Sequence, residues 1–190
     1  MISLGARLVR AALRLYTYPY RKRHASLSRS VKFRSRPYRP LAGFSWERTE
    51  ADGVCVEILT PPDCRKGGAV LHFHGGGHTV GMNGMYRKVA ERLARGTRRP
   101  VYSVDYRTGE ALTHPALLDE CFRAVLSLRE KGPMPAKWAA VGDSMGANLM
   151  LAVCLRLRDE GMELPAALVC VSPFVDLAAS GDSYRKTAHA

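Results

Sequence analysis

The stretch Val141-Gly142-Asp143-Ser144-Met145-Gly146, VGDSMG, closes an apolar strand-like run, residues 138–142, and opens a helical one, Met145 to about Arg158. A serine between two glycines at such a junction has a specific use. The turn lifts the Ser144 side chain above the carboxyl edge of a sheet, where α/β folds bind ligands. Gly142 and Gly146 avoid the collision that a side chain would meet as strand and helix approach. With 17 Gly and 12 Ser among 190 residues, G-x-S-x-G arises by chance in about one such chain in ten, so an ordinary tight turn competes until a second motif supports the first.

Outward from this turn the chain alternates strands and helices. FSWERTE and VCVEILT, either side of Asp52-Gly53, read as a hairpin, and AVLHFH (69–74) and VYSVDY (101–106) as short buried strands. One helix is expected from about Asn83 to Arg95, closed by Gly96, and another from about Pro115 to Glu130, stopped by Gly132. WAAVG, the helix after Ser144 with Gly161 as its cap, and ALVCVS complete the series. Strands separated by helices of this length predict an α/β fold with a mostly parallel sheet and helices on both faces. There are no internal repeats.

The second motif is His74-Gly75-Gly76-Gly77, directly after a buried strand, a tetrapeptide expected by composition on the order of once in a few hundred chains. Glycines at a strand end let backbone N–H groups turn toward one point. An oxyanion hole requires this, and losing one of its donors costs roughly 3–4 kcal/mol of barrier stabilisation. A phosphate-binding loop is disfavoured, because neither Gly-Lys-Ser/Thr nor G-x-G-x-x-G is present.

These residues resemble the hormone-sensitive-lipase-like branch of the α/β-hydrolases. The resemblance is carried by His74–Gly77 with Gly81, by VDYR with Pro115-Ala116 and Asp119, by Gly142–Gly146, and by SPFVDL, in the family's order over residues ~45–185. It implies that Ser144 is the nucleophile, that the oxyanion donors are the N–H groups of Gly76, Gly77 and Met145, and that His74 and Gly75 support the loop. It further implies a helical cap formed by the basic N-terminal segment, giving residues 1–43 as cap and linker and 44–190 as hydrolase core. Two departures stand out: Met145 replaces the usual alanine and adds bulk near the pocket, and RTGEALTH replaces the usual Leu-Ala-Pro-Glu pattern.

In this fold the nucleophile precedes the acid and the histidine. After Ser144 stand Asp159, Glu160, Glu163, Asp176, Asp182 and His189. Asp159 and Glu160 end a helix and are expected in solvent, Asp176 belongs to a structural turn, and His189 is the penultimate residue. The expectation is therefore that two further strands, the acid and the base are missing, and that the chain is C-terminally truncated. Among the earlier histidines, His72 reads as a core residue. A metal site of His72, His74 and His78 is not expected without a carboxylate at helical spacing, and no cofactor is expected.

The net charge of +12 is uneven: residues 1–48 hold twelve Lys/Arg against the single acid Glu47, and the remainder is close to neutral. That distribution argues against a nucleic-acid-binding domain. Arg7, Arg10 and Arg14 recur beside Leu4, Leu8, Ala11 and Leu15, an amphipathic pattern that could dock on a fold or bring residues 1–39 to a membrane surface. Five scattered cysteines without a C-x-x-C pair favour a reducing, cytoplasmic setting over a disulfide framework. Two readings remain open: a serine carboxylesterase or lipase acting on small, short-chain acyl esters, or a truncated, catalytically incompetent homologue that binds a ligand or partner. The exposed edge of the sixth strand leaves homo-oligomerisation open in either case.

Overall fold

Ala69–Phe73 is buried at all five positions. A strand covered on both faces belongs inside a sheet that carries helices on each side. The computed structural model describes residue 4, residues 38–109 and residues 113–187. The chain divides into two units, Met1–Phe33 and Arg34–Ala190, and the second holds every element named below. Apart from Leu4, the part of the expected cap and membrane contact up to residue 37 lies outside the described residues, as does His189.

The described strands are β1 (Ser45–Ala51), β2 (Val54–Thr60), β3 (Ala69–Phe73), β4 (Val101–Asp105), β5 (Trp138–Asp143) and β6 (Ala167–Val171). They form one sheet in the order β1-β2-β4-β3-β5-β6. β1 and β2 are the expected hairpin, with Asp52 and Gly53 at φ 51° and 80°, both positive as a tight hairpin turn requires. β2 runs antiparallel to β4, while β4, β3, β5 and β6 are mutually parallel. The mostly parallel sheet read from the sequence is therefore present.

Alternating side chains send β3 residues to opposite faces. Leu71 and Phe73 join Val104 in a core with Leu117 and Val125 of α2 (His114–Glu130) and Leu149 and Val153 of α3 (Met145–Asp159). Val70 joins Leu59, Val101, Ala90 and Ala94 on the other face, covered by α1 (Gly84–Thr97). Each fully buried Leu, Val or Phe contributes about 1.5–3 kcal/mol relative to exposure, so both faces need their helices. Among the described residues β6 pairs only with β5, and all five of its residues are exposed. No helix among them is long and apolar enough to cross a membrane.

Three local features differ from the sequence expectation or were absent from it. α1 runs through Gly96 to Thr97 and ends on Arg98 in the left-handed region at φ 53°. Tertiary contacts hold Arg98 there: its carbonyl accepts the Arg65 N–H at 2.8 Å, and its guanidinium pairs with Asp63 at 3.1 Å. Glu57 sits in β2 only 3% exposed. Burial alone would raise its pKa, but two 2.7 Å hydrogen bonds from Arg87, with Trp46 and Arg48, hold the carboxyl below its ordinary value. Finally, Tyr38 and Leu41, within the expected linker, both donate to the buried carboxylate of Glu91 on α1, at 2.9 and 3.2 Å.

Candidate functional site

Ser144 stands between the last residue of β5 and the first of α3, at φ 52° and ψ −121°. A serine held in such a region costs on the order of 1–3 kcal/mol, and the surroundings must enforce it. The backbone does so: the Ser144 N–H donates to Val171 O at 3.0 Å, and its carbonyl accepts from Asn148 at 3.3 Å and Phe174 at 3.2 Å. The flanking glycines are sterically required. A Cβ on Gly142 would lie 2.7 Å from Ala147 Cα, and one on Gly146 would lie 2.3 Å from the carbonyl oxygens of Phe73 and His74. The first turn of α3 thus rests directly on the end of β3, where the glycine loop begins.

That loop turns on two left-handed glycines, Gly76 at φ 106° and Gly77 at φ 58°. The Gly76 carbonyl points back into it, accepting from Thr79 N at 3.0 Å and Val80 N at 3.1 Å. Among the described residues the N–H groups of Gly76, Gly77 and Met145 donate to nothing. Gly75 is tied to the serine turn, because its N–H donates to Asp143 Oδ1 at 2.9 Å. The Met145 side chain is buried.

His74 is fully buried, with Nδ1 2.8 Å from the Gly75 carbonyl oxygen, which puts the proton on that nitrogen. Its ring stacks on Tyr106 at 4.2 Å and 8°, and burial keeps its pKa below the ordinary histidine value. Among the described residues Nε2 has no hydrogen-bond partner. His74 is therefore a neutral ring hydrogen-bonded to the backbone of the glycine loop. Tyr106 hydrogen-bonds the His74 carbonyl and lies 3.4 Å from that of Gly75. Tyr106 stands in the sequence only as part of VDYR, and Asp143 carried no expected role; the signal for each was its place in VDYR and in the serine turn.

The remaining candidates lie elsewhere. Asp159 and Glu160 pair on the surface with Arg158 and Arg156. Asp176 closes a turn by accepting from Ser180, Ala178 and Gly181, and these bonds, led by the Ser180 hydroxyl, hold its pKa below the usual carboxylate range. His114 Nε2 donates to Asn148 Oδ1 at 2.9 Å, and its ring lies 6.3 Å from that of His78. Among the described residues no group of three or more His, Cys, Asp or Glu is arranged to hold a metal ion.

His72 pairs through Nδ1 with Ser103 Oγ at 3.0 Å inside the sheet, and burial pushes its pKa down to about 3. The unfolded chain, with histidine near 6.5, then binds the extra proton first as pH falls. This contribution to stability is complete above pH 6.5 and is lost as pH drops toward 3. Urea midpoints at pH 7 and 4.5 should fall less steeply in His72→Asn than in the wild type. An unchanged slope would remove His72 from the acid sensitivity.

The sequence profile of the alpha/beta hydrolase fold family matches residues 70–190. An acetyl-hydrolase of Streptomyces hygroscopicus is 34% identical over 132 residues, covering 70% of this chain and 44% of the relative. Among solved structures, an esterase from the bacterial hormone-sensitive lipase family superposes with a TM-score of 0.71 at 32% identity, over 80% of this chain and 51% of that one. EstE5, solved after soaking with p-nitrophenyl butyrate, superposes with a TM-score of 0.70 at 28% identity, over 80% and 51%. The chain spans about half the length of the relatives it matches.

Proposed function

Since the chain belongs to the α/β-hydrolase fold family, in its hormone-sensitive-lipase-like branch, we propose that it is the nucleophile-bearing part of a serine carboxylesterase acting on short-chain acyl esters. The observation that carries this reading is the union of the two motifs: the strained Ser144 turn and the glycine loop are joined by the Gly75–Asp143 hydrogen bond.

In the proposed mechanism Ser144 Oγ attacks the ester carbonyl carbon while a histidine takes the hydroxyl proton, and the carbonyl π electrons move onto oxygen. The N–H groups of Gly76, Gly77 and Met145 stabilise that oxyanion. Collapse breaks the bond to the alcohol oxygen, which leaves with the proton from the histidine. Water then repeats the sequence on the acyl-enzyme and frees Ser144. Among the described residues no hydrogen bond joins Ser144 to a histidine, so this reading draws the base and its carboxylate from outside them. The acetyl-hydrolase relative and the butyrate-soaked structure support a short acyl group. The free cysteines among the described residues support a reducing, cytoplasmic setting.

The test is mass spectrometry of the intact protein quenched during turnover of p-nitrophenyl acetate, butyrate and palmitate. The expected result is an acyl adduct on the peptide that carries Ser144, with the two short esters consumed at least roughly tenfold faster than palmitate. Turnover with the adduct on another residue would overturn the assignment, and faster palmitate hydrolysis would overturn the chain-length reading.

A further inference from the structure

We propose that Asp143 is the positioning residue of the glycine loop: its carboxylate fixes Gly75, so that the N–H groups of Gly76 and Gly77 are aimed at the oxygen bound over Ser144. This rests on the reading of Ser144 as nucleophile and extends it to the residue beside it.

The geometry comes from strand order. β3, from which the loop leaves, lies between β4 and β5, and an aspartate ends each of these neighbours. Asp143 at the end of β5 accepts the Gly75 N–H at 2.9 Å, and Asp105 at the end of β4 accepts the Met82 N–H at 3.2 Å. The loop is therefore pinned near both ends by carboxylates from the strands on either side. The two pins differ in what they control. Met82 lies beyond the turn closed by the Gly76 carbonyl, whereas Gly75 immediately precedes the two N–H groups that carry the proposed chemistry.

The Asp143 contact is also close. A Cβ on Gly75 would fall 2.3 Å from Asp143 Oδ2 and 3.0 Å from the Asp143 carbonyl oxygen. The carboxylate thus lies against the Gly75 backbone, and the bond is charge-assisted, stronger than one to a neutral acceptor. Because Asp143 is joined covalently to Ser144, any shift of the serine turn carries the glycine loop with it. Nucleophile and oxyanion donors keep their mutual position even though 68 residues separate Gly75 from Asp143. Such fixed alignment lets donors act without reorganising during the reaction.

The experiment combines turnover with a measurement that needs none. Asp143→Ala removes the acceptor and should lower kcat for p-nitrophenyl butyrate by about 10²-fold, with KM within about threefold, because misplaced donors are felt in the transition state. Asp143→Asn keeps an oxygen at the same reach and should recover at least about tenfold of that loss. Equal losses in the two variants would overturn the proposal, since an acceptor restored at the same place would then recover nothing. In the 190-residue chain, amide hydrogen exchange at Gly75 should rise about tenfold or more in Asp143→Ala while Leu71 and Val104 in the core stay unchanged. Unchanged exchange at Gly75 would overturn it. Should Asp143→Ala fail to fold, Asp143→Ser, too short to reach Gly75, replaces it in both arms. If Ser144→Ala retained hydrolysis, the nucleophile reading would fail alone, because the exchange at Gly75 reports on the bond without any chemistry.

Discussion

In a form of the protein that carries the catalytic histidine and its acid, Ser144→Ala should lower kcat/KM for p-nitrophenyl acetate by about 10⁴–10⁶-fold, because removing the nucleophile removes the covalent route and leaves only binding and the oxyanion donors. The fold should be unaffected. Ser144 is positioned through backbone bonds to Val171, Asn148 and Phe174, all of which alanine keeps, and it makes no side-chain capping bond to α3. Alanine at φ 52° is as strained as serine, so the thermal midpoint should stay within a few degrees. Steady-state kinetics and a melting curve on the same preparation check both halves. Full activity in a folded variant would exclude Ser144 from the mechanism.

Gly76→Ala should reduce kcat by roughly 10²–10³-fold with little change in KM, since the donors act on charge that exists only in the transition state. Space and backbone both forbid the methyl. At φ 106° a Cβ would lie 2.7 Å from Val80 O, 2.8 Å from Val80 Cβ and 3.3 Å from the Tyr86 hydroxyl, so the loop must rebuild. Gly77 supplies the contrast. Its φ of 58° lies in the left-handed region that other residues occasionally adopt, and among the described residues a Cβ there meets nothing within 4 Å. Gly77→Ala should therefore lose at least about tenfold less turnover than Gly76→Ala. A weakened KM with unchanged kcat in Gly76→Ala would count against the oxyanion role, as would equal losses at the two positions.

Much of this protein was legible in the sequence because the relevant physics is local. A hairpin needs positive φ at two adjacent residues, and Asp52-Gly53 announces it. A strand turning sharply into a helix needs small residues on both sides of the turn, and Gly142 and Gly146 announce that. The helix spans followed from apolar spacing to within a few residues, and the boundary at Arg98 was missed because distant partners, Arg65 and Asp63, hold it in place.

The sequence by itself therefore determined the six strands and the three helices between them, their mostly parallel arrangement, the serine turn and the glycine loop. Each of these is written in backbone preferences over a few neighbouring residues. The tertiary structure alone decided that β3 lies between β4 and β5, that Asp143 grips Gly75, that Tyr106 backs His74, and that Glu57 and Glu91 are buried with their partners. No local pattern encodes these pairings. They arise when strand order brings together groups far apart in the chain, and each buried polar group must then find a partner among whatever that order places beside it.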